Sequence, residues 1–327
     1  MVLAYELLRS GFPYYITLGQ RRITSNPVDI GFGKENIYVL TRGVLGTEIR
    51  VINWEDENLG VRGSTELFNW PAGLLVDHDE NLYVSDEAKH CIVVMDKEGN
   101  HLSTWGQHGS SQGQLNRPSG MTFDTEGNIL LSDTMNNRVQ RFTASGEHLQ
   151  TIEMPGLNNP WGIAEDAEGY IYVADWKNDR IVKLSKEGEL SLTIGATGSQ
   201  KGQMSRPSSV AVDQHGDIYV ADRGNDRVQL FDKKGKYIQS FHGDASLSKS
   251  GLAYVLSNHQ TLRLREMGDV EKAQRLDVPM TVRVDRDFRL FITDFGNHRI
   301  QVYKKDAIEL SEEQIAAPMR NPILYTA

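Results

Sequence analysis

The sequence predicts an all-β protein, a six-bladed β-propeller, and three observations support this prediction. First, a proline-led segment recurs six times in the 327 residues; RPSGMTFDTEGNILLSDTMNNRVQRF (Arg117 to Phe142) closely matches RPSSVAVDQHGDIYVADRGNDRVQLF (Arg206 to Phe231). Second, four of the five spacings between the leading prolines lie in the range of about 40 to 50 residues that is typical of propeller blades. Third, glycine is frequent, at 30 residues, which favours many turns over long helices.

Each repeated segment contains the signals of four short strands. The leading prolines are separated by 44, 47, 42, 47 and 72 residues, and they are Pro27, Pro71, Pro118, Pro160, Pro207 and Pro279. An apolar run follows each proline, then a turn such as Asp124 to Asn128, a second apolar run, a third such as Arg138 to Phe142, and a fourth. Four strands make one blade, and the short runs leave no room for the crossover helices of a parallel sheet.

The last segment lacks a fourth strand of the usual kind after Tyr303. The segment Phe12 to Gly19, FPYYITLG, precedes the first proline and is similar to fourth-strand endings such as LTIG. We therefore predict that it pairs beside Arg299 to Tyr303 and closes the ring, because closure removes exposed sheet edges. Residues 1–327 then form a single propeller domain, with a C-terminal tail at 305–327.

The 72-residue spacing indicates an insertion in blade five, at residues 244–277. Leu252, Val255 and Leu256 lie at helical spacing, so we predict one or two amphipathic helices there. Such an insertion can be a lid over a pocket, a stabilising element or an oligomer contact.

Composition and charge limit the classes of function. The net charge of −9 disfavours nucleic acid as a partner, since a phosphate backbone would be repelled. The single cysteine, Cys91, cannot form an internal disulfide, and we find neither a signal peptide pattern nor a run of 18 apolar residues. We therefore expect a cytoplasmic protein without a membrane partner; the sequence does not indicate its oligomeric state.

A strand-ending aspartate recurs in five blades, and an arginine follows it five residues later in four of them. The aspartates are Asp86, Asp133, Asp175, Asp222 and Asp294, and the arginines are Arg138, Arg180, Arg227 and Arg299. We interpret the carboxylate as a cap on the following loop and the arginine as its bidentate partner. A role repeated in nearly every blade is architectural. Cys91 takes the arginine position of the second blade and is interpreted as a buried packing thiol.

The segment IYVADRGNDRVQLF resembles the blade pattern of the NHL-repeat family, and the resemblance extends over about residues 12 to 304. It implies a six-bladed propeller. The family includes RNA-binding and protein-binding scaffolds, sensor domains and the peptidyl-hydroxyglycine amidating lyases, so the resemblance alone does not select a function. The length of the chain and the position of one arginine are most similar to the lyases.

Only some of the functional residues of the lyases have a match in this sequence. Arg42, in VLTRG, stands where the lyases carry a catalytic arginine. Their three zinc histidines match Ala72, Trp161 and Met280, so no catalytic zinc site of that type is implied. Their tyrosine and second arginine match positions near Met135 and Trp176.

Asp29 is the remaining position that the resemblance singles out. An aspartate in this register, although on the last blade, helps the lyases to bind calcium in the channel; here the last blade has Thr281. The resemblance therefore suggests Asp29 as a metal residue for structural calcium, which would need several further oxygen ligands. Other cofactors are not indicated.

Strand direction brings the residues after the prolines and the loops after the second strands to one face, which we call the ligand face. Its members are Val28, Ala72, Ser119, Trp161, Ser208 and Met280, with Arg42, Glu87, Thr134, Trp176, Arg223 and Phe295. Arginines hold carboxylates and aromatic rings form apolar walls, so a small anionic or aromatic acid would fit there. Divergence of these positions also fits relaxed constraint on loops.

The leading hypothesis is a lyase or hydrolase that binds a small-molecule ligand in the central funnel. Arg42 and Arg223 are the candidate anion clamps, and Glu87 is the candidate acid or base. The candidate substrate-binding residues are Trp161, Trp176, Phe295, Met135 and Met280, with Tyr254 and His259 from the insertion. In one alternative, the rings plug the funnel and the arginines point to solvent. In another, the same face is a non-catalytic protein-interaction scaffold with an exposed apolar patch where the aromatic residues stand.

Overall fold

The computed structural model describes residues 7–19, 23–43, 46–258, 260, 263 and 269–310. Six four-stranded antiparallel sheets surround a central axis; five are each formed from one repeated segment, and the sixth takes one strand from the N-terminal part of the chain. The first strand of each blade contacts the first strands of both neighbouring blades, so these six strands line the axis. Among the described residues, no helix has both the length and the apolar character needed to cross a bilayer.

The strands of the first three blades follow two strands near the N-terminus. These two are β1 (Leu7–Gly11) and β2 (Tyr14–Leu18). Blade 1 contains β3 (Pro27–Phe32), β4 (Ile37–Gly43), β5 (Gly46–Ile52) and β6 (Asn58–Arg62). Blade 2 contains β7 (Pro71–Val76), β8 (Leu82–Asp86), β9 (Cys91–Met95) and β10 (His101–Trp105). Blade 3 contains β11 (Pro118–Phe123), β12 (Ile129–Asp133), β13 (Arg138–Phe142) and β14 (His148–Ile152).

The remaining blades have the same order. Blade 4 contains β15 (Pro160–Glu165), β16 (Ile171–Asp175), β17 (Arg180–Leu184) and β18 (Leu190–Ile194). Blade 5 contains β19 (Ser209–Val212), β20 (Ile218–Asp222), β21 (Arg227–Phe231) and β22 (Tyr237–Phe241). Blade 6 contains β23 (Pro279–Val284), β24 (Arg289–Asp294) and β25 (Arg299–Lys304), and the chain ends its regular structure at β26 (Asp306–Glu309).

The outer strand of blade 6 comes from the N-terminal part of the chain. Strand β2 pairs antiparallel with β25, and Leu18 lies opposite Ile300. Leu18 and Ile300 are both fully buried in a cluster that joins blade 6 to blade 1. The ring therefore contains no blade with a missing strand.

A separate two-stranded ribbon is formed by β1 and β26. It is held to blade 5 by Arg9, whose Nε donates to Asp217 at 2.7 Å, and by the buried Lys305, whose Nζ lies 2.6 Å from Asp213 and 2.7 Å from Asp217. Strand β26 belongs to the first residues of the predicted C-terminal tail, 305–327.

The described part of the insertion of blade 5 contains the short helices α1 (Lys249–Leu256) and α2 (Val270–Gln274). The described part of the insertion follows the outer side of blade 6: Thr17 of β2 donates to the carbonyl of Ser246 at 2.8 Å. Ser250 of α1 then donates its N–H to Asp56, in the outer turn of blade 1, at 3.0 Å. These contacts place α1 at the rim between blades 6 and 1; a lid over the funnel stays a prediction.

The strand-ending aspartates bind the loop that precedes the first strand of their own blade. In blade 3, Asp133 accepts the N–H of Asn116 at 2.6 Å and the Nε–H of Arg138 at 2.8 Å. The terminal nitrogens of Arg138 donate instead to the carbonyls of Ser110 at 2.9 Å and Ser111 at 2.8 Å. The predicted bidentate contact is therefore wrong: the guanidinium is shared between the carboxylate and the loop.

Blade 2 shows what happens where the arginine is absent. Its Asp86 accepts N–H groups of the following loop, from Ala88 at 2.9 Å and Lys89 at 3.0 Å, as the sequence predicted for all blades. The Nζ of Lys89 donates to the carbonyl of Leu67 at 2.6 Å and so takes over the contact with the preceding loop. Cys91, at the arginine position, is buried, and burial raises the pKa of its thiol to about 11.

Candidate functional site

The ligand face has an apolar centre made from several blades. Trp161, directly after the proline of blade 4, and Phe295, after β24, are partly buried against a core cluster that includes Val28 and Met280. Met280 is 3% exposed. The rings of Trp161 and Trp176 meet edge to face, with centroids 5.7 Å apart. We call Trp161, Trp176, Phe295 and Met280 the apolar floor.

Arg42 stands at the edge of this floor on blade 1, near the end of β4. Its guanidinium carbon lies 4.7 Å from the centroid of the Trp70 ring. Burial lowers the pKa of Arg42, the nearby Glu87 charge opposes this effect, and the positive charge of Arg223 adds to it. Within the described part of the chain, the guanidinium has no hydrogen-bond acceptor and no carboxylate within 4 Å.

Arg223 stands on the other side of the floor, on blade 5. It is the first residue of a single 3-10 turn, Arg223–Asn225, that follows β20. Its guanidinium carbon lies 5.6 Å from the centroid of the Trp161 ring. Burial lowers the pKa of Arg223, and the charge of Arg206 lowers it further. Among the described residues, this guanidinium also has no carboxylate or hydrogen-bond partner.

Glu87 directly follows β8 and is 8% exposed. Its carboxylate lies 3.0 Å from Nη2 of Arg117. Burial raises the pKa of Glu87, while the positive charges of Arg117 and Arg42 lower it. Glu87 and Arg223 therefore each lie within electrostatic range of Arg42, and all three residues were selected from the sequence.

The sequence prediction missed three side chains of this face, Trp70, Arg117 and Arg206. Each of them immediately precedes a leading proline. Arg117 and Arg206 have positive φ angles of 55° and 50°, and their N–H groups donate to the preceding blade, to His90 Nδ1 at 3.0 Å and Asp179 at 2.7 Å. These contacts fix the backbone of both arginines. The recurring position before each proline is the sequence signal that identifies these residues, whereas strand direction singles out only the position after the proline.

The remaining candidate residues have different positions. Met135 is 46% exposed, and its sulfur accepts from the Asn159 side chain at 3.3 Å. Tyr254 belongs to α1 at the rim. His259 lies outside the described residues.

Asp29 lies at the axis below the floor and has a cationic side chain as its partner. Its carboxylate accepts from Nε of Arg283 at 3.1 Å and Nη2 at 2.6 Å, and from the N–H groups of Ile30 and Leu74, both at 2.8 Å. A calcium ion at this carboxylate would have to displace the guanidinium. The space beside the pair is about 10 Å³, near the lower limit for one water molecule. The Asp29–Arg283 pair therefore closes the channel.

Comparisons with known families match two parts of the chain. The family model described as the SMP-30/Gluconolactonase/LRE-like region matches residues 50–161, which include Glu87, Arg117 and Trp161. The NHL repeat model matches residues 204–231, which include Arg206 and Arg223. No curated protein has a significant match to the sequence.

Several solved structures have a similar fold at low sequence identity. A gluconolactonase from Xanthomonas campestris is 14% identical with a TM-score of 0.62, covering 91% of this chain and 100% of its own. A catalytically inactive virginiamycin B lyase from Staphylococcus aureus, with quinupristin, is 14% identical with a TM-score of 0.57, covering 90% and 88%. A protein of unknown function from Bacteroides thetaiotaomicron is 16% identical with a TM-score of 0.63, covering 91% and 73%. At these identities the similarity shows a shared propeller fold.

Proposed function

We propose that this chain, a six-bladed propeller of the NHL and SMP-30/gluconolactonase type, binds a small organic acid on its ligand face and acts on it as a lyase or hydrolase. One observation supports this proposal above the others. Arg42 and Arg223 are partly buried beside tryptophan rings, and neither has an anionic partner among the described residues.

The energetics of these two arginines favour an anionic ligand. A guanidinium that is removed from water without a partner loses hydration that nothing in its surroundings replaces. The lowered pKa of each arginine has burial as its largest cause. A carboxylate that accepts from either guanidinium restores the lost interactions, and a charge-assisted hydrogen bond contributes about 1.5–3 kcal/mol. The apolar floor between them would contact the body of the ligand.

Glu87 is the residue that we assign to proton transfer. Burial raises its pKa above the ordinary carboxyl value, and a raised pKa favours a carboxyl group that exchanges protons during a reaction. Its ion pair with Arg117 fixes the carboxylate at the edge of the site. One carboxylate can remove a proton from the atom next to the acid group of the ligand, or from an attacking water molecule.

The similarities add limited support. The matched region of the SMP-30/gluconolactonase model includes Glu87, and the structural neighbours include a gluconolactonase and a lyase. A fold shared with such enzymes agrees with a hydrolase or lyase, but a fold does not specify a substrate.

The test is retention of metabolites. The purified protein is incubated with a metabolite extract, separated from free compounds, and the retained compounds are identified by mass spectrometry. We expect small acids to be retained by the wild type and by Arg286→Gln, a charge change in the exposed turn after β23. The Arg42→Gln/Arg223→Gln double variant should lose them. Retention by that variant, or retention of no acid by the wild type, would contradict the proposal.

Turnover is tested with the retained acid. Glu87→Gln keeps the shape of the side chain, but the amide cannot act as a general acid or base. We expect this variant to retain the acid and to lose turnover by about 100-fold or more, the usual contribution of general acid–base catalysis. Unchanged turnover would remove Glu87 from this role.

A protein-interaction scaffold is the second candidate. The observation that favours it is apolar exposure on the ligand face: Trp70 is 50% exposed and Met135 is 46% exposed. A scaffold predicts that Trp70→Ala and Met135→Ala abolish capture of a partner protein while the two arginine substitutions do not. An enzyme predicts the reverse for the retained acid.

A further inference from the structure

The cationic side chains of the ligand face are divided into two groups. Arg42 lies over Trp70, in the loop before blade 2, and both side chains belong to the blade 1 and 2 side of the ring. Arg206 and Arg223 belong to blade 5, and each lies 5.6 Å from a tryptophan ring of blade 4. In a ring of six blades, blades 1 and 2 face blades 4 and 5 across the axis. The two groups therefore stand on opposite sides of the mouth.

The charges of these groups are not compensated within the site. Glu87, the one acidic side chain that we place there, forms its ion pair with Arg117. Within the described chain, the side chains of Arg42, Arg206 and Arg223 have no carboxylate within 4 Å. Three guanidinium charges thus remain on a protein whose overall charge is −9. A local cationic surface on an acidic protein attracts anions selectively to that surface.

The surface between the two groups is apolar. One apolar cluster surrounds the mouth. It contains Val28 of blade 1, Met280 and Phe295 of blade 6, and Trp161 of blade 4. Below them the Asp29–Arg283 pair closes the channel, so a ligand cannot extend down the axis. A ligand must therefore lie across the mouth, with its length directed from one cationic group to the other.

We propose that the ligand is a dicarboxylic acid whose two acid groups are joined by an apolar or aromatic body. Arg206 and Arg223 bind one carboxylate, Arg42 binds the other, and the apolar floor contacts the body between them. This inference rests on the proposed function, since it assigns the substrate class of the same site. Planar guanidinium groups suit this task because they bind carboxylates through two parallel hydrogen bonds.

The test uses calorimetry with matched acids. Dicarboxylates from succinate to suberate, and terephthalate, are titrated into the protein, each beside the monocarboxylate of the same carbon skeleton. We expect at least one dicarboxylate to bind about tenfold more tightly than its monocarboxylate, because a second charged contact is added. The preference should have a maximum at one chain length, since the two arginine groups are fixed by the ring.

Variants identify the two ends. Arg42→Gln should reduce the ratio of dicarboxylate affinity to monocarboxylate affinity to about one, and Arg223→Gln should do the same. Arg286→Gln, with the same loss of charge on an exposed turn, should leave the ratio unchanged. Circular dichroism and thermal melting of each variant show that the fold is retained, so that a lost ratio reports on the site.

The outcomes separate this inference from the proposed function. If monocarboxylates bind as tightly as dicarboxylates, and Arg42→Gln and Arg223→Gln weaken both equally, the site binds a single acid group and the present inference is wrong. If no acid binds at all, both the inference and the proposed function are wrong. A tenfold preference that persists in Arg42→Gln would also overturn the assignment of the second carboxylate to Arg42.

Discussion

At the scale of single residues, Glu87 is subject to two opposing effects. Burial disfavours its charged form and raises its pKa, while the neighbouring guanidinium groups of Arg117 and Arg42 favour the charged form. The balance makes the protonation of Glu87 depend on one contact, the ion pair with Arg117 at 3.0 Å.

The first prediction concerns this contact. Arg117→Gln removes a positive charge and a hydrogen bond that both lower the pKa of Glu87, so its pKa should rise further above the usual value. NMR titration of the Glu87 carboxyl group, assigned with Glu87→Gln, measures the change. If Glu87 acts as a base, the acidic limb of the pH–rate profile should also move to higher pH. A lower pKa in Arg117→Gln would contradict the prediction.

The residues of the site were predictable in part, and their positions explain why. Strand direction alone predicts the face on which Arg42, Glu87, Trp161 and Arg223 lie. The start of each first strand and the end of each second strand must lie at the same end of a blade. Trp70 and the two arginines before prolines belong to connections between blades. Their place depends on contacts with the preceding blade, and strand periodicity alone does not contain that information.

At the scale of secondary-structure elements, the buried arginines connect the strand ends to the loops between blades. Arg138 donates to Asp133 and to the carbonyls of three residues in the loop from β10 to β11, and its side chain is 7% exposed. Arg180, at the same position in blade 4, donates to Asp175 at 2.7 Å and to the carbonyl of Gly156 at 3.4 Å, and its side chain is 28% exposed.

The second prediction follows from this difference. Arg138→Gln leaves the buried Asp133 and several loop carbonyls without their cation and should lower the free energy of unfolding by about 3–5 kcal/mol. Arg180→Gln should cost about 1 kcal/mol, since its contact is more accessible to water. Urea unfolding of both variants measures the two values. Equal losses would show that burial of the arginine does not determine its contribution.

The elements differ in how well the sequence specifies them. The blade strands repeat six times, so each copy supports the assignment of the others, and the prolines fix where the first strands begin. The ribbon has no repeat to support it, and the sequences of β1 (LLRSG) and β26 (DAIE) do not alternate apolar and polar residues. Their pairing depends on Arg9 and Lys305 reaching the acidic turn of blade 5, which is a tertiary contact.

At the scale of the whole molecule, ring closure depends on β2. Leu18 is fully buried, and Ile16 packs against the same cluster between blades 6 and 1. Each buried large aliphatic side chain contributes about 1.5–3 kcal/mol, which is a considerable part of the 5–15 kcal/mol typical of a domain. Without β2, the strand β25 would also have an unpaired edge.

The third prediction compares truncations. Deletion of residues 1–20 removes both β1 and β2 and should give a protein that aggregates or melts at a much lower temperature. Deletion of residues 311–327, which spares β26, should cost much less. Deletion of residues 1–11 removes the ribbon but keeps β2 and should give an intermediate melting temperature. Thermal unfolding with size-exclusion chromatography measures all three, and equal tolerance of the first two would contradict the role of β2.

Pairing of β2 with β25 also determines the order of events during synthesis on the ribosome. Strand β2 is synthesised before the blades, but its partner β25 is made only after all the intervening blades. β2 therefore remains unpaired through most of translation. Blades 1 to 5 can form early because their contacts are local, whereas the final step brings together distant parts of the chain at a high entropic cost. An incomplete nascent chain therefore exposes the edge of its last finished blade, and chaperone binding during translation should be concentrated in this period.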